Sequence, residues 1–247
     1  MDITRAILYK PWSAHRRSAR AGFLVAEEGG GNTVKIDAGS RLLMIGDSIT
    51  DCGRVRPVGE APAGLGGGYV NIVNALLCAV CPERAVRVIN TGIGGNTVRD
   101  LVGRWQEDCL DLHPDWLSIM IGINYVWRRF DHPLKPERHV PVDEYERTLD
   151  DLVGRTLPSL KGLVLMTPYY IEPNTADPMR AMMDSYGAVV RKLAEKHGAV
   201  LVDTQAAFDD VLRHTYPGAI AGDRVHPNTV GHVILARAFL NAIGFPW

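Results

Sequence analysis

The sequence has no uninterrupted apolar stretch long enough to cross a bilayer, so no helical membrane anchor is expected. It also lacks a charge excess. With 27 Lys and Arg against 28 Asp and Glu, nothing marks nucleic acid or an anionic membrane surface as a partner, and a small or neutral ligand is favoured. Cysteine is scarce: Cys52, Cys78, Cys81 and Cys109 are all there are. Cys78 and Cys81 have C-x-x-C spacing, but no second pair completes a zinc site, and both fall in an apolar helical pattern, so reduced, buried thiols are expected. Such usage suits a reducing compartment. The first twenty residues carry Arg5, Lys10, Arg16, Arg17 and Arg20 without a contiguous apolar core before a small-residue cleavage site, so no secretory signal is expected and a cytoplasmic location is.

Chemical motifs are missing too. Asp47, Asp51, Asp223 and His226 are residue types that ligate cations, yet no His-x-His, His-Glu-x-x-His or clustered metal spacing occurs, so no metal is expected. Gly66-Gly67-Gly68 does not follow a strand directly and no Lys-Ser/Thr pair comes after it, which argues against a nucleotide site; no cofactor is expected. The G-x-S-x-G nucleophile elbow is absent as well.

What is present is a β–α alternation. Residues 1–40 stand apart as an N-terminal extension: a basic, Arg-rich segment, then Phe23-Leu24-Val25, Glu27-Glu28 and three glycines. From Arg41 onward, strands are predicted at 41–46, 86–90, 116–121, 163–166 and 200–202. Helices are predicted at 69–81, from about 98 to 110, at 143–156 with Asp143 as cap, at 179–197 ending on Gly198, at 205–214 and at 229–242. Long loops are expected at 53–68 and from Trp127 to Pro141, the latter with Arg128, Arg129, His132, Lys135, Arg138 and His139. Five β–α units without an internal repeat predict one three-layer α/β/α sandwich over residues 41–247.

The chemistry is concentrated where strands end. Leu42-Leu43-Met44-Ile45 reads as a strand buried on both faces, and it breaks into Gly46-Asp47-Ser48, placing a serine at a strand's carboxyl end where open α/β sheets bind ligands. Asp47 and Ser48 would equally serve to cap the helix that follows. The turns after strands two and three, Thr91 to Thr97 and Gly122 to Tyr125, emerge at the same sheet edge. The amides of Ser48 and Gly95 and the side-chain amide of Asn124 are therefore candidate oxyanion donors. A serine hydroxyl needs a base to take its proton, and a histidine base needs an acid to fix its tautomer. Asp223 and His226, three residues apart with Pro227 stiffening the turn, fit that need, though an Asp–His pair before a helix also suits capping. The other histidines lie mostly in charged loops or on helices without a paired acid at short spacing and are expected to be solvated or structural.

Taken together, Gly46-Asp47-Ser48-Ile49-Thr50, Gly95 within Asn90 to Thr97, Gly122-Ile123-Asn124 and Asp223-Arg224-Val225-His226 resemble the four ordered blocks of the SGNH (GDSL) hydrolase superfamily. The resemblance implies a flavodoxin-like five-stranded parallel sheet of order 2-1-3-4-5. It also implies Ser48 as nucleophile, Asp223 and His226 as its triad partners, and an oxyanion hole of Ser48, Gly95 and Asn124. The runs Gly46 to Arg54, Ile119 to Asn124 and Asp203 to Phe208 look most like the bacterial intracellular acetyl xylan esterases. By that likeness the substrate is an acetylated xylo-oligosaccharide, the intermediate an acetyl-serine, and the protein a homo-oligomer. Two features depart from the pattern: Tyr125 stands where an acid usually follows the block-three asparagine, and residues 1–33 have no counterpart in relatives that begin near Val34. A short-chain lipolytic esterase or thioesterase would use the same triad, and a non-catalytic carbohydrate-binding module is the alternative from another class.

Overall fold

Leu42, Leu43, Met44 and Ile45 are each fully buried, the burial that a strand covered on both faces demands. Removing such side chains from water is worth about 2 kcal/mol apiece. The computed structural model that shows this describes residues 34–134 and 139–247, which fall within one compact unit, Asn32–Trp247. Residues 1–33 of the expected extension, and Lys135 and Arg138, lie outside the described residues. Ahead of the first strand, Val34 and Ile36 are buried in the core and the Lys35 amide donates to the Ile243 carbonyl at 2.8 Å.

The strands are β1 (Arg41–Gly46), β2 (Gly59–Glu60), β3 (Arg87–Asn90), β4 (Trp116–Met120), β5 (Gly162–Met166) and β6 (Val200–Val202). They form one sheet of order β2-β3-β1-β4-β5-β6, parallel throughout except for the β2–β3 pair. The five parallel strands are those expected, in the order expected. β2 is an addition: the sequence reading placed these residues in a loop, because two residues that include a glycine carry no alternation. Glu60 and Arg87, paired through two 2.8 Å hydrogen bonds, secure that edge.

The helices are α1 (Ser48–Asp51), α2 (Tyr69–Val80), α3 (Val98–Asp108), α4 (Ile123–Asp131), α5 (Val142–Thr156), α6 (Pro178–His197), α7 (Thr204–Leu212) and α8 (Thr229–Ala242). α2, α7 and α8 pack into one outer layer and α3, α4, α5 and α6 into the other, giving the expected three-layer sandwich. No helix among the described residues is long and apolar enough to cross a membrane.

Side-chain caps fix several helix starts. Thr97 and Asp100 form a reciprocal capping box on α3, Asp177 caps α6, Asp203 caps α7 and Asn228 caps α8. Two expectations are corrected. Asp143 does not cap α5; Pro141 occupies that position, and Asp143 pairs one turn on with Arg147 at 2.8 Å. The segment from Trp127 is not a loop at its start, since α4 runs on to Asp131. Its first turn buries Ile123, Tyr125 and Val126, and Arg128 and Arg129 complement the helix dipole in its last turn.

β1 lies between β3 and β4, so the chain leaves it toward opposite sides at its carboxyl end. That is the topological switch point, where an open α/β sheet has its crevice.

Candidate active site

Ser48 is the first residue of α1, directly beyond the end of β1. Asp47 caps this short helix by accepting the Ile49 amide, and the Cys52 amide closes it on the Ser48 carbonyl. The serine is therefore fixed by its own helical turn. Its hydroxyl lies 2.9 Å from His226 Nε2, and His226 Nδ1 lies 2.7 Å from Asp223 Oδ2. Asp223 accepts through its other oxygen from the Val225 and His226 amides at 2.9 and 2.8 Å, so the loop after α7 holds the carboxylate against the ring. Burial alone would raise the Asp223 pKa; hydrogen bonds from the His226 side chain and these amides outweigh it and hold the carboxyl below its ordinary range. An ionised Asp223 requires the proton on Nδ1, which leaves the Nε2 lone pair to accept from Ser48. This arrangement can draw a proton from the serine as its oxygen attacks.

The loop bearing Asp223 and His226 is tied down from outside. The Ile171 amide donates to the Arg224 carbonyl at 3.0 Å, and the Arg224 guanidinium pairs with Glu172. Trp127 places its ring edge-on to His226, centroids 5.2 Å apart, with the Arg128 guanidinium over the indole at 4.6 Å.

The proposed oxyanion donors converge. A Cβ on Gly94 would stand 3.8 Å from the Ser48 Cβ, so the turn after β3 adjoins the serine, and Gly95 there has φ +80°, a conformation natural to glycine. Asn124, in the first turn of α4 and 2% exposed, donates one side-chain proton to the Asn96 carbonyl at 3.0 Å. That bond links β3's turn to β4's helix and leaves a second Nδ2 proton.

Tyr125 is buried, not solvated. It packs with Tyr145 and Tyr186 in a three-ring cluster, centroids 5.2 to 5.5 Å apart. At this position the aromatic ring fills the space behind Asn124 by packing on the two other rings. Among the remaining histidines, His232 is buried between the Tyr69 amide, which donates to Nδ1 at 3.2 Å, and Cys52, 3.4 Å from Nε2. Burial pushes its pKa down to about 4 and that of Cys52 up, so this pair is neutral and structural. The cysteines are free, as expected, but Cys78 is exposed, because it faces outward on α2 while Cys81 turns inward. Among the described residues no group of three His, Cys, Asp or Glu side chains is arranged to hold a metal ion.

Sequence reasoning missed the groups packed around the serine. Asp51 accepts from the Gly94 amide and from Arg56, Arg54 donates to the Gly92 carbonyl, and Arg104 reaches the Thr91 and Gly46 carbonyls at 2.7 and 3.1 Å. The signal was the stretch Thr50-Asp51-Cys52-Gly53-Arg54 directly after the serine, whose partners in the turn after β3 are distant in sequence.

Residues 44–234 match the model of the GDSL-like Lipase/Acylhydrolase family. An acetylxylan esterase of Geobacillus stearothermophilus is 60% identical over 215 residues, 87% of this chain and 98% of that protein. The crystal structure of that esterase, Axe2, matches with a TM-score of 0.85 over 86% of this chain and 98% of the other. Structures of catalytic mutants of Axe2 replace a serine, an aspartate or a histidine by alanine. LAE5, an α/β hydrolase enzyme from the metagenome of Lake Arreo in Spain, is 53% identical with a TM-score of 0.84, again over 86% of this chain and 98% of the other.

Proposed function

Because the chain belongs to the GDSL-like lipase/acylhydrolase family and is a carboxylic ester hydrolase, we propose that Ser48, His226 and Asp223 are the triad with which it removes acetyl groups from xylo-oligosaccharides. The observation that carries this reading is the unbroken relay from Ser48 Oγ through His226 to Asp223, at 2.9 and 2.7 Å.

Ser48 attacks the acetyl carbonyl as His226 takes its proton. The amides of Ser48 and Gly95 and the Asn124 side chain receive the oxyanion. His226 then gives the proton to the departing sugar oxygen, leaving acetyl-Ser48, and next activates the water that releases acetate. The leaving sugar must lie beside His226, so the half-buried Trp127 is the aromatic group in position to border it. Tyr169 is fully buried and supports the loop that bears His226 through a hydrogen bond to the Val225 carbonyl.

Purified protein should release acetate from acetylated xylo-oligosaccharides, and Ser48→Ala should lower turnover at least about a thousandfold while leaving the fold intact. A clear preference for octanoyl over acetyl esters would replace this reading with a lipolytic one. Retained turnover in the alanine variant would remove the serine from its role.

The protein further reads as cytoplasmic and homo-oligomeric. Four free thiols fit a reducing compartment, and Phe130 and Leu134, 42% and 93% exposed at the end of α4, fit a surface covered by another copy. Light scattering coupled to size exclusion reads the assembly directly; a monomer mass would end that part of the proposal.

A further inference from the structure

The turn Thr91–Asn96 has all but one of its amides committed. Thr91 N–H donates to the Met44 carbonyl at 3.0 Å, Gly92 to Asn90 Oδ1 at 2.9 Å, Ile93 to the Gly46 carbonyl at 3.1 Å, Gly94 to Asp51 Oδ2 at 3.0 Å and Asn96 to the Ile93 carbonyl at 3.2 Å. Gly95 N–H has no intramolecular acceptor among the described residues. It is the donor left over for a substrate oxygen.

Gly94 and Gly95 follow one another, and two successive glycines give a backbone the widest conformational range. An oxyanion donor must be fixed before the charge develops, or the cost of ordering it falls on the reaction step. Something outside the turn must therefore hold it. Among the described residues the only side chain that reaches an amide of this glycine pair is that of Asp51, and its accepting oxygen is gripped from the other side by Arg56 Nη2 at 2.5 Å. Arg56 Nη1 and Arg54 Nε then close on the Gly92 carbonyl at 3.3 and 2.7 Å.

Asp51 sits three residues after Ser48 on the same single turn of helix, with its side chain 12% exposed. Nucleophile and clamp thus share one rigid element. The Asp51 bond ties the glycine pair to the helical turn that carries Ser48, while Asn124 holds the Asn96 carbonyl on the far side of Gly95.

We propose that Asp51, braced by Arg56, is the positioning residue of the oxyanion hole: it fastens the Gly94 amide so that Gly95 N–H is the one amide of this turn presented to the substrate oxygen at Ser48, beside the Ser48 amide and Asn124. The proposal rests on Ser48 being the nucleophile. It assigns Asp51 no contact with substrate.

The test uses the full chain and p-nitrophenyl acetate, an ester without a sugar, so that it does not depend on which saccharide is the substrate. Turnover by the wild type and its loss in Ser48→Ala establish the esterase reading first; failure there is a failure of that reading and is seen before any Asp51 variant is made. Asp51→Ala should then lose about a hundredfold in kcat, with KM changed by less than about threefold. Asp51→Asn, whose amide oxygen still accepts from Gly94 N–H, should recover most of that and remain within about tenfold of wild type. Arg56→Ala should fall about tenfold, because the carboxylate keeps the amide but loses its brace. In all three the inflection of the kcat/KM pH profile should stay where it is, since Asp223 and His226 are untouched.

A wild-type kcat in Asp51→Ala, a loss carried by KM, or a displaced inflection would each overturn the proposal. If Asp51→Ala does not fold by circular dichroism, the other two variants decide: wild-type kcat in both would overturn it, and graded losses at constant KM would support it.

Discussion

Asp47 precedes Ser48, is 1% exposed, and accepts the Ile49 amide on Oδ1 at 3.1 Å. Burial drives its pKa up; the Ile49 amide and the nearby His226 oppose this, and the balance leaves it at about 7 instead of 3.8. Well below pH 3.8, Asp47 is protonated both folded and unfolded. Between pH 3.8 and about 7 the native state keeps a proton that the unfolded chain has released, so this residue lowers stability progressively as the pH rises through that window, and no further above it. Asp51 and Asp223 act in the opposite direction, since their lowered pKa values give stability that is lost as the pH falls. The whole-protein profile mixes these terms, but the difference between wild type and Asp47→Asn isolates one. The amide keeps the cap and cannot ionise. Urea unfolding should find the variant near wild type at pH 4 and more stable by up to about 4 kcal/mol at pH 8. A difference that does not change with pH would show that Asp47 titrates normally. In sequence, Ser48, Asp223 and His226 were legible because their chemistry requires one another. The tasks of Asp47 and Asp51 were not, because a carboxylate's role follows from which amides and guanidinium groups fold against it.

The elements that carry the site were read where their ends are marked. Asn90, Asn228 and the Gly46-Asp47-Ser48 break announce strand ends and a helix cap in local chemistry. α4 was read as loop because Gly122-Ile123-Asn124 looks like a turn continuing into a charged, aromatic stretch, and its buried face is only one turn long. Yet α4 is what brings Asn124, a proposed oxyanion donor, to the Asn96 carbonyl in the turn after β3, and Gly122 makes its start possible. Its φ of +152° disfavours any side chain, and a Cβ there would lie 2.6 and 2.7 Å from Pro168 Cβ and Cγ. Pro168 is a stiff ring and cannot step aside as a flexible side chain would. Gly122→Ala should therefore cost about 2–4 kcal/mol in urea unfolding, with a fall in kcat as Asn124 is displaced. Unchanged stability and kcat would mean that the β4–α4 junction has slack the packing does not reveal.

At the scale of the whole chain, the sheet order places β1 at the switch point, and the loops after β3 and β4 meet there because they leave on either side of it. That convergence followed from the β–α alternation, while the strand order came from the family resemblance, and the edge strand β2, two residues long, was legible in neither. Every candidate site residue lies beyond residue 40. Which residues ahead of β1 the described core depends on is a separate question, and buried surface answers it before composition does. Ile36 is fully buried and Val34 is 5% exposed, with the Lys35 main chain bonded to the segment after α8. Burying those two side chains is worth about 3–5 kcal/mol. Removal of residues 1–33 should accordingly leave kcat/KM within about twofold and Tm within about 2 °C of the full chain. Removal of residues 1–40 takes Val34 and Ile36 as well, and should lower Tm by about 6 °C or more for a chain of this size. The two truncations differ by only seven residues, so equal melting temperatures would show that the extension ends at Arg41. A large loss on removing residues 1–33 would instead make that segment part of the folded enzyme.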